Sequence, residues 1–259
     1  MLNRRLTVSL ALVLVFMCVN ILEAAGGLVF YLPLNEGSGD PTDTSANPTD
    51  VVIKGQLEWV DGRFGKALKF DGNAANFVEA AHSDKLEGMQ ALTIMVWAKP
   101  EAPDANARGL VSKRVASSDS DVYNLFSWTE VKIWARTNHT GDVTSQTVLA
   151  DDTWYHIAYV FDGGGATNEK AKLYINGALE AAGDHPASAV EAHGASLFIG
   201  TLNEAYAQNW KGVLDDVSIW DIALSGAEIK GYADGTLTAV KPQNKLSATW
   251  GEIKSGAGL

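Results

Sequence analysis

The segment Leu92-Thr-Ile-Met-Val-Trp-Ala-Lys-Pro100 has apolar side chains on both faces of a predicted β-strand. Successive side chains of a strand point to opposite faces, so the leucine, isoleucine and valine share one face and the methionine and tryptophan share the other. A strand that is apolar on both faces is covered on both sides. We therefore predict a central strand, with one face against a second sheet and the other beneath loops or a ligand.

Short strand-like runs recur on both sides of this segment. Trp154–Phe161 is similar to it, because both of its alternating sets are largely aromatic or aliphatic. The other candidate strands are Leu28–Leu34, Val51–Lys54, Ala67–Phe70, Phe77–Glu79, Gly109–Lys113, Tyr123–Trp128, Val131–Arg136, Thr144–Leu149, Lys172–Ile175, Ser196–Ile199 and Val213–Trp220. Many short strands, separated by Gly, Asp and Asn with no long helix between them, predict an all-β fold, namely a two-sheet antiparallel β-sandwich.

Local motifs predict a hairpin and one short C-terminal helix. Asn176-Gly177 follows the candidate strand Lys172–Ile175, and both residues tolerate the positive φ that a tight hairpin requires. Ser225 followed by Glu228 is a capping-box pattern, and Asp234-Gly235 is typical of a helix end. The helix is therefore expected between these two motifs.

Composition and charge restrict the class of protein. The chain has 259 residues, of which 46% are hydrophobic and 9% aromatic, as in folded globular proteins. The formal net charge of −11 argues against a nucleic-acid ligand, because a row of phosphates would meet net repulsion. The acidity is compatible with a soluble extracellular protein or with one that binds cations.

The first residues have the layout of a secretory signal peptide. Arg4-Arg5 forms a basic region, Leu6 to Leu22 is largely apolar, and the small residues Ala24-Ala25 follow. A transmembrane anchor is the alternative, but the run is shorter than the roughly 20 apolar residues of a membrane span. We predict that residues 1–25 are cleaved and that the protein is secreted, either extracellular or periplasmic, with no membrane span after cleavage.

The rest of the chain is predicted to form one domain. The single cysteine, Cys18, lies in the predicted signal peptide, so the mature chain would have no disulfide and no cysteine-based metal site. Residues 26–235 carry the strand pattern and the helix motif. Residues 236–259 lose the strand pattern and are predicted to be a flexible tail, although three apolar residues in it have the spacing of a one-sided helix.

The most plausible ligand-binding side chains lie on two neighbouring candidate strands. Trp134 and Arg136 alternate away from the aliphatic residues of their strand, and Tyr123, Trp128 and Asn138 are near in sequence. Sugar binding uses a flat aromatic face with planar hydrogen-bonding groups beside it, and these five residues supply both. The alternative is that the aromatic residues only cover the second face of the sheet.

Several stretches resemble the laminin-G-like family of concanavalin A-like jelly rolls found in bacterial secreted proteins. They are Tyr31-Leu-Pro-Leu-Asn-Glu-Gly37, Gly65-Lys-Ala-Leu-Lys-Phe-Asp-Gly72, Phe77-Val-Glu79, Leu92-Thr-Ile-Met-Val-Trp-Ala-Lys-Pro100, Trp154-Tyr-His-Ile-Ala158, Lys172-Leu-Tyr-Ile-Asn-Gly177, Gly212-Val-Leu-Asp-Asp-Val-Ser-Ile-Trp220 and Ala223-Leu-Ser225. Their order and spacing carry the resemblance. It implies two curved antiparallel sheets, often with calcium, that recognise carbohydrate or protein.

The same architecture includes retaining β-glucanases, and the carboxylates of this chain argue against that activity. Those enzymes carry a Glu-x-Asp-x-x-Glu pattern on one strand, with the two catalytic carboxyl groups about 5 Å apart. The pattern is absent, and we place Glu58 and Asp61 across a turn and Asp215 and Asp216 on opposite faces. His156 alternates with core residues and is interpreted as a hydrogen-bonded core histidine. We predict that the protein is not an enzyme.

A structural calcium ion (Ca²⁺) is predicted at Asp215. This aspartate falls in phase with the apolar, inward residues Val213, Val217 and Ile219, and a buried carboxylate requires compensation. The alternatives are a hard divalent cation and hydrogen bonds from backbone amides. The resemblance favours the cation and implies Asn35 and Gly72 as further ligands, both through carbonyl oxygens.

Two functions are compatible with these observations. The first is a secreted, non-catalytic module that recognises a polysaccharide or a glycoprotein glycan. The second is a structural domain that binds another extracellular protein and has no glycan ligand. Glycan binding by the purified chain, with and without calcium, distinguishes the two.

Overall fold

The computed structural model describes residues 27–115, 121–203 and 208–237. The predicted signal peptide and all but two residues of the predicted tail lie outside the described residues. In chain order the elements are β1 (Leu28–Leu32), β2 (Val51–Lys54), β3 (Glu58–Asp61), β4 (Lys66–Asp71), β5 (Phe77–Ala80), β6 (Ala91–Pro100), β7 (Arg108–Arg114), β8 (Asp121–Trp128), β9 (Lys132–Thr137), β10 (Thr140–Val148), β11 (Tyr155–Asp162), β12 (Ala171–Ile175), β13 (Ala178–Gly183), β14 (Leu197–Ile199), β15 (Lys211–Trp220) and helix α1 (Gly226–Ala233).

The strands form two antiparallel sheets packed face to face, as the sequence predicts. The eight-stranded sheet has the order β13-β12-β11-β6-β15-β4-β3, and β1 pairs with β15. The seven-stranded sheet has the order β10-β9-β8-β7-β14-β5-β2. The architecture is a jelly-roll β-sandwich. We call the face of each sheet that points away from the other sheet its outer face.

Strand β6 has the central position that its two apolar faces predict. It lies between β11 and β15, and Leu92, Ile94 and Val96 pack in the core between the sheets. Met95 lies on the outer face in a separate cluster beneath α1. The outer face of the eight-stranded sheet is thus partly covered by the helix.

Helix α1 begins with the predicted capping box. Ser225 Oγ accepts a hydrogen bond from the Glu228 amide at 3.3 Å, and Glu228 Oε2 accepts one from the Ser225 amide at 2.8 Å. Ile229 and Tyr232 are buried against the outer face, where Tyr232 lies 5.8 Å from the ring of Trp220. None of the helices in the described ranges is long and apolar enough to span a membrane.

Two local predictions are wrong. Glu58 and Asp61 do not lie across a turn, because both belong to β3, where they pair with Lys69 and Lys66 of β4. Strand β9 begins at Lys132 rather than at Val131, since Val131 has a φ of 56° and belongs to the turn after β8. Both errors fall at strand ends, where pairing with a neighbouring strand decides the boundary.

Candidate functional site

An aromatic row lies on the outer face of the seven-stranded sheet. Phe126 and Trp128 of β8 alternate with Leu125, which packs in the core, and Phe126 pairs across strands with Trp134 of β9. The ring centroids of Trp128 and Trp134 are 5.3 Å apart, and those of Phe126 and Trp128 are 6.5 Å apart. Trp128 is 39% exposed, so its ring is accessible to a ligand.

Charged side chains lie beside this aromatic row. Arg114 Nε is 3.0 Å from Asp121 Oδ1, and Arg136 Nη1 is 3.9 Å from Asp121 Oδ2. Arg136 Nε is 3.2 Å from Asp142 Oδ1, and its guanidinium carbon is 5.1 Å from the Phe126 ring centroid. Asp121 is only 1% exposed, so its charge is compensated by the guanidinium groups rather than by water.

The aromatic and charged groups line a pocket of about 150 Å³. Its lining residues are Ala107, Arg114, Asp121, Asn124, Phe126, Trp128, Arg136, Leu202 and Gln208. Leu202 and Gln208 belong to the connection between β14 and β15, and each has a backbone carbonyl that is hydrogen-bonded to the sheet. The Gly109 amide donates to Gln208 O at 2.9 Å, and the Ser112 hydroxyl lies 2.7 Å from Leu202 O. The pocket therefore forms where this connection meets the outer face.

Tyr123 does not belong to this site, which corrects the prediction from the sequence. Its side chain has no exposed surface and packs in the core between the sheets. Burial raises the pKa of its hydroxyl well above the usual value. Alternation along β8 places Asn124, its neighbour, on the outer face instead.

Asn138 is also placed outside the pocket by its hydrogen bonds. It has a φ of 50° in the turn between β9 and β10. Its Nδ2 donates to Ala189 O at 2.8 Å, and its Oδ1 accepts from the Glu191 amide at 2.8 Å. Both ends of the amide hold the chain near residue 190, so Asn138 lies outside the pocket, and its contact with a ligand stays a prediction.

The pocket contains residues that the sequence did not indicate. Asn124 could have been found, because it alternates with Phe126 and Trp128 on the same strand. Arg114 is brought in by the pairing of β7 with β8, and Gln208 by the connection that crosses the sheet. Neither contact leaves a local pattern in the sequence. The predicted contacts Trp128, Trp134 and Arg136 share the outer face, and their contact with a ligand stays a prediction.

Asp215 lies on the outer face of the eight-stranded sheet, not on the predicted inward face. Leu214 and Val217 both pack in the core, which a regular strand does not allow for residues three apart. A bulge after Asp215 adds the extra residue, and Asp216 there has a φ of 48°. Asp215 therefore shares its face with Trp97, its cross-strand neighbour on β6.

The carboxylate of Asp215 is buried beneath the turn that joins β3 to β4. Its Oδ2 accepts a hydrogen bond from the Phe64 amide at 3.0 Å. Gly62 in the same turn cannot carry a side chain, because a Cβ there would lie 2.5 Å from Asp215 Oδ2. Burial raises the pKa of this carboxyl group to about 7. Compensation by backbone amides is the alternative that the sequence left open.

The structure separates two of the three predicted calcium ligands. Gly72 lies beside Lys211, and Asp215 is four residues further along β15, a separation of roughly 13 Å. Gly72 and Asp215 therefore do not fit a shared ion. Asn35 Oδ1 accepts a hydrogen bond from the Lys66 amide at 2.8 Å, a contact that does not engage the backbone carbonyl oxygen of Asn35. Calcium binding at Asp215 stays a prediction.

Two histidines have environments that the sequence did not define. His156 is 2% exposed beside Trp97, and burial lowers its pKa to about 4. It lies on the outer face of the eight-stranded sheet, because its neighbours Tyr155 and Ile157 pack in the core, and its Nδ1 has no hydrogen-bond partner among the described residues. The prediction of a hydrogen-bonded core histidine is therefore wrong. His82 lies within reach of Asp84 and Glu87 in an arrangement that could hold a metal ion.

Comparison with known families places the pocket within a recognised domain. A laminin G-type family model, described as the concanavalin A-like lectin/glucanases superfamily, matches residues 71–230. This range includes every residue that lines the pocket. None of the curated proteins matches the chain.

Solved structures with the same fold come from bacterial binding domains. The binding domain of Paraclostridial Mosquitocidal Protein 1 has a TM-score of 0.65 at 16% identity and covers 81% of this chain. The botulinum neurotoxin serotype G binding domain has a TM-score of 0.63 at 13% identity and also covers 81%. This chain spans about half of each, 52% and 51% respectively.

A third similar structure matches over nearly its whole length. Domain 4 of AbnA, an extracellular arabinanase from Geobacillus stearothermophilus, was solved in complex with arabinotriose. It has a TM-score of 0.61 at 18% identity, and the match covers 80% of this chain and 98% of that domain. At these identities the likeness shows the fold.

Proposed function

Since this chain belongs to the concanavalin A-like lectin/glucanases superfamily, we propose that it is a non-catalytic module that binds carbohydrate. The pocket on the seven-stranded sheet carries the proposal, because it combines the exposed Trp128 ring with the planar polar groups of Asn124 and Arg136. Sugar rings present apolar C–H faces to aromatic side chains and hydroxyl groups to amide and guanidinium groups.

The ligands of similar structures support a glycan as the ligand. AbnA domain 4 is described in complex with arabinotriose, and the botulinum neurotoxin serotype D ligand-binding domain in complex with N-acetylneuraminic acid. Botulinum neurotoxin type C is described as entering cells through two ganglioside molecules. These ligands belong to those proteins, and the pocket described above is the place where we propose that this chain binds one.

A glycan array followed by titration calorimetry tests the proposal. We expect the purified protein to bind at least one glycan and to leave it uncleaved, in calcium and in excess chelator alike. The Trp128→Ala variant should lose about tenfold or more in affinity, because a central exposed aromatic residue dominates such contacts. Trp134→Ala should lose less and should melt within a few degrees of the wild type.

Trp154→Ala is the matched control. Trp154 is a half-buried tryptophan that precedes β11 of the eight-stranded sheet, away from the pocket. Lys99 Nζ, on β6 of the same sheet, lies 5.7 Å from its ring centroid. Its replacement should leave glycan affinity unchanged. Full affinity in Trp128→Ala together with loss in Trp154→Ala would place the ligand on the eight-stranded sheet and contradict the proposal.

A further inference from the structure

We infer that the glycan residue held in this pocket is uncharged, an inference that rests on the proposed function. The competing class is an acidic sugar, such as a uronic or sialic acid, whose carboxylate needs an uncompensated cation. Two properties of the pocket argue against that class. Its guanidinium groups already have carboxylate partners, and its wall presents a buried hydrogen-bond acceptor that an acidic group cannot satisfy.

The charges of the pocket are balanced among the described residues. Arg114 lies against Asp121, and Arg136 lies against both Asp142 and Asp121, at the distances given above. His139 Nδ1 is 3.6 Å from the same Asp121 carboxylate. A ligand carboxylate would compete with two aspartates for the guanidinium groups and would lie near a buried negative charge. Such like-charge contact in a desolvated site is strongly unfavourable.

The net charge of the chain acts in the same direction. The whole chain has a formal net charge of −11, so a long acidic polysaccharide would also be repelled at a distance. The charge balance in the pocket and the overall charge therefore favour the same class of ligand.

The Asn124 amide is held by Ser112. Ser112 Oγ donates a hydrogen bond to Asn124 Oδ1 at 2.5 Å and lies 2.7 Å from Leu202 O. With its oxygen engaged by Ser112, Asn124 offers its side-chain NH2 group to a ligand in the pocket that it lines. A neutral amide donor serves the oxygen of a sugar hydroxyl group but supplies no positive charge to balance a carboxylate.

Gln208 contributes a hydrogen-bond acceptor. Its Oε1 is buried and has no hydrogen-bond partner among the described residues, although Gln208 lines the pocket. A buried acceptor without a donor is costly, so the preferred ligand is one that donates. Sugar hydroxyl groups donate and accept, whereas a carboxylate only accepts. The acceptor on Gln208 therefore selects a hydroxyl group.

The volume of the pocket limits how much of the glycan enters. At about 150 Å³ it is smaller than the roughly 300–1,000 Å³ of sites that enclose a drug-sized ligand. One sugar ring, at a chain end or as a branch, suits this volume. The next ring would then lie against the exposed face of Trp128.

Matched pairs of neutral and acidic glycans test the inference. The array should pair galactan with polygalacturonate, xylan with glucuronoxylan, and desialylated with sialylated N-glycans. Arabinotriose is included as a further neutral glycan. We expect binding to neutral members and at least about tenfold weaker binding to their acidic partners. Equal or stronger binding of the acidic partner overturns the inference and leaves the proposed function intact. Binding to no member of the panel contradicts both.

Aspartate variants test the charge argument directly. In Asp142→Asn, whose native side chain is 37% exposed, Arg136 loses one partner, so the affinity ratio of acidic to neutral glycan should rise several-fold. Asp121→Asn should raise it further if that variant folds. Asp152→Asn, which breaks an exposed ion pair with Lys99, is the control and should leave the ratio unchanged. An unchanged ratio in folded Asp142→Asn argues against the charge balance described here.

Discussion

Asp215 shows how one buried residue links a bulge, a turn and the pH dependence of stability. Its side chain has no exposed surface, and its Oδ1 has no hydrogen-bond partner among the described residues. Desolvation favours the protonated form, and the negative charge of Asp216 adds to this effect. Its Oδ2 accepts a hydrogen bond at 3.0 Å from the Phe64 amide in the turn above it.

Replacing Asp215 by asparagine should remove a pH-dependent loss of stability. In the unfolded chain an aspartate titrates near about 3.9, whereas in the folded protein this pKa is raised to about 7. The folded state therefore binds an extra proton between these values, so the stabilisation is complete below about pH 4 and is lost as the pH rises through about 7. The difference in melting temperature, Asp215→Asn minus wild type, should therefore be several degrees larger at pH 8 than at pH 4, as measured by calorimetry.

An exposed aspartate at the end of the same strand provides the control. Asp221→Asn should change the melting temperature by a similar small amount at both pH values. A difference between Asp215→Asn and wild type that stays constant from pH 4 to pH 8 would falsify the assignment of a raised pKa.

At the scale of elements, Glu180 joins the two sheets at their edges. It lies on β13, the last strand of the eight-stranded sheet, and faces β10, the last strand of the seven-stranded sheet. Its Oε2 accepts hydrogen bonds from the Gln146 amide at 2.9 Å and the Thr147 amide at 2.8 Å, and its Oε1 accepts from the Thr147 hydroxyl. Edge amides that would be open to another chain are thereby occupied.

Glu180→Ala should destabilise the protein by about 1 kcal/mol, because the amides of the exposed Gln146 and the half-buried Thr147 lose a charged acceptor. The urea midpoint should fall while the dependence of the unfolding free energy on urea stays the same. Glu180→Gln keeps one carbonyl acceptor and should lose less. Glu169→Ala, which removes only an exposed ion pair with Lys172, is the control. If Glu180→Ala is as stable as Glu169→Ala, the bridge between the sheets contributes nothing measurable.

At the scale of the whole molecule, export is the property that residues 1–25 predict. We expect the mature protein outside the cytoplasm to begin near Ala25 or Gly26, as read by N-terminal sequencing. Leu14→Arg interrupts the apolar run and should retain the uncleaved chain inside the cell. Exported protein that still carries Met1 would instead indicate an uncleaved anchor.

Features that depend on residues close in sequence were predictable from the sequence. The two apolar faces of β6, the capping box at Ser225 and the hairpin at Asn176-Gly177 all appear as predicted. Alternation also places Trp134 and Arg136 on an outer face, away from Ile133. Each of these depends on strand or helix periodicity within a few residues, and periodicity is encoded locally.

Features that depend on pairing between distant residues could be found only from the tertiary structure. The bulge at Asp216 places Asp215 on the outer face of the sheet instead of the inner face, and the neighbouring sequence does not indicate the extra residue. The pocket requires Arg114 from β7, Asp121 from β8 and Gln208 from a connection across the sheet. A one-residue change in register moves every following side chain to the other face, so the site depends on long-range pairing that local patterns do not specify.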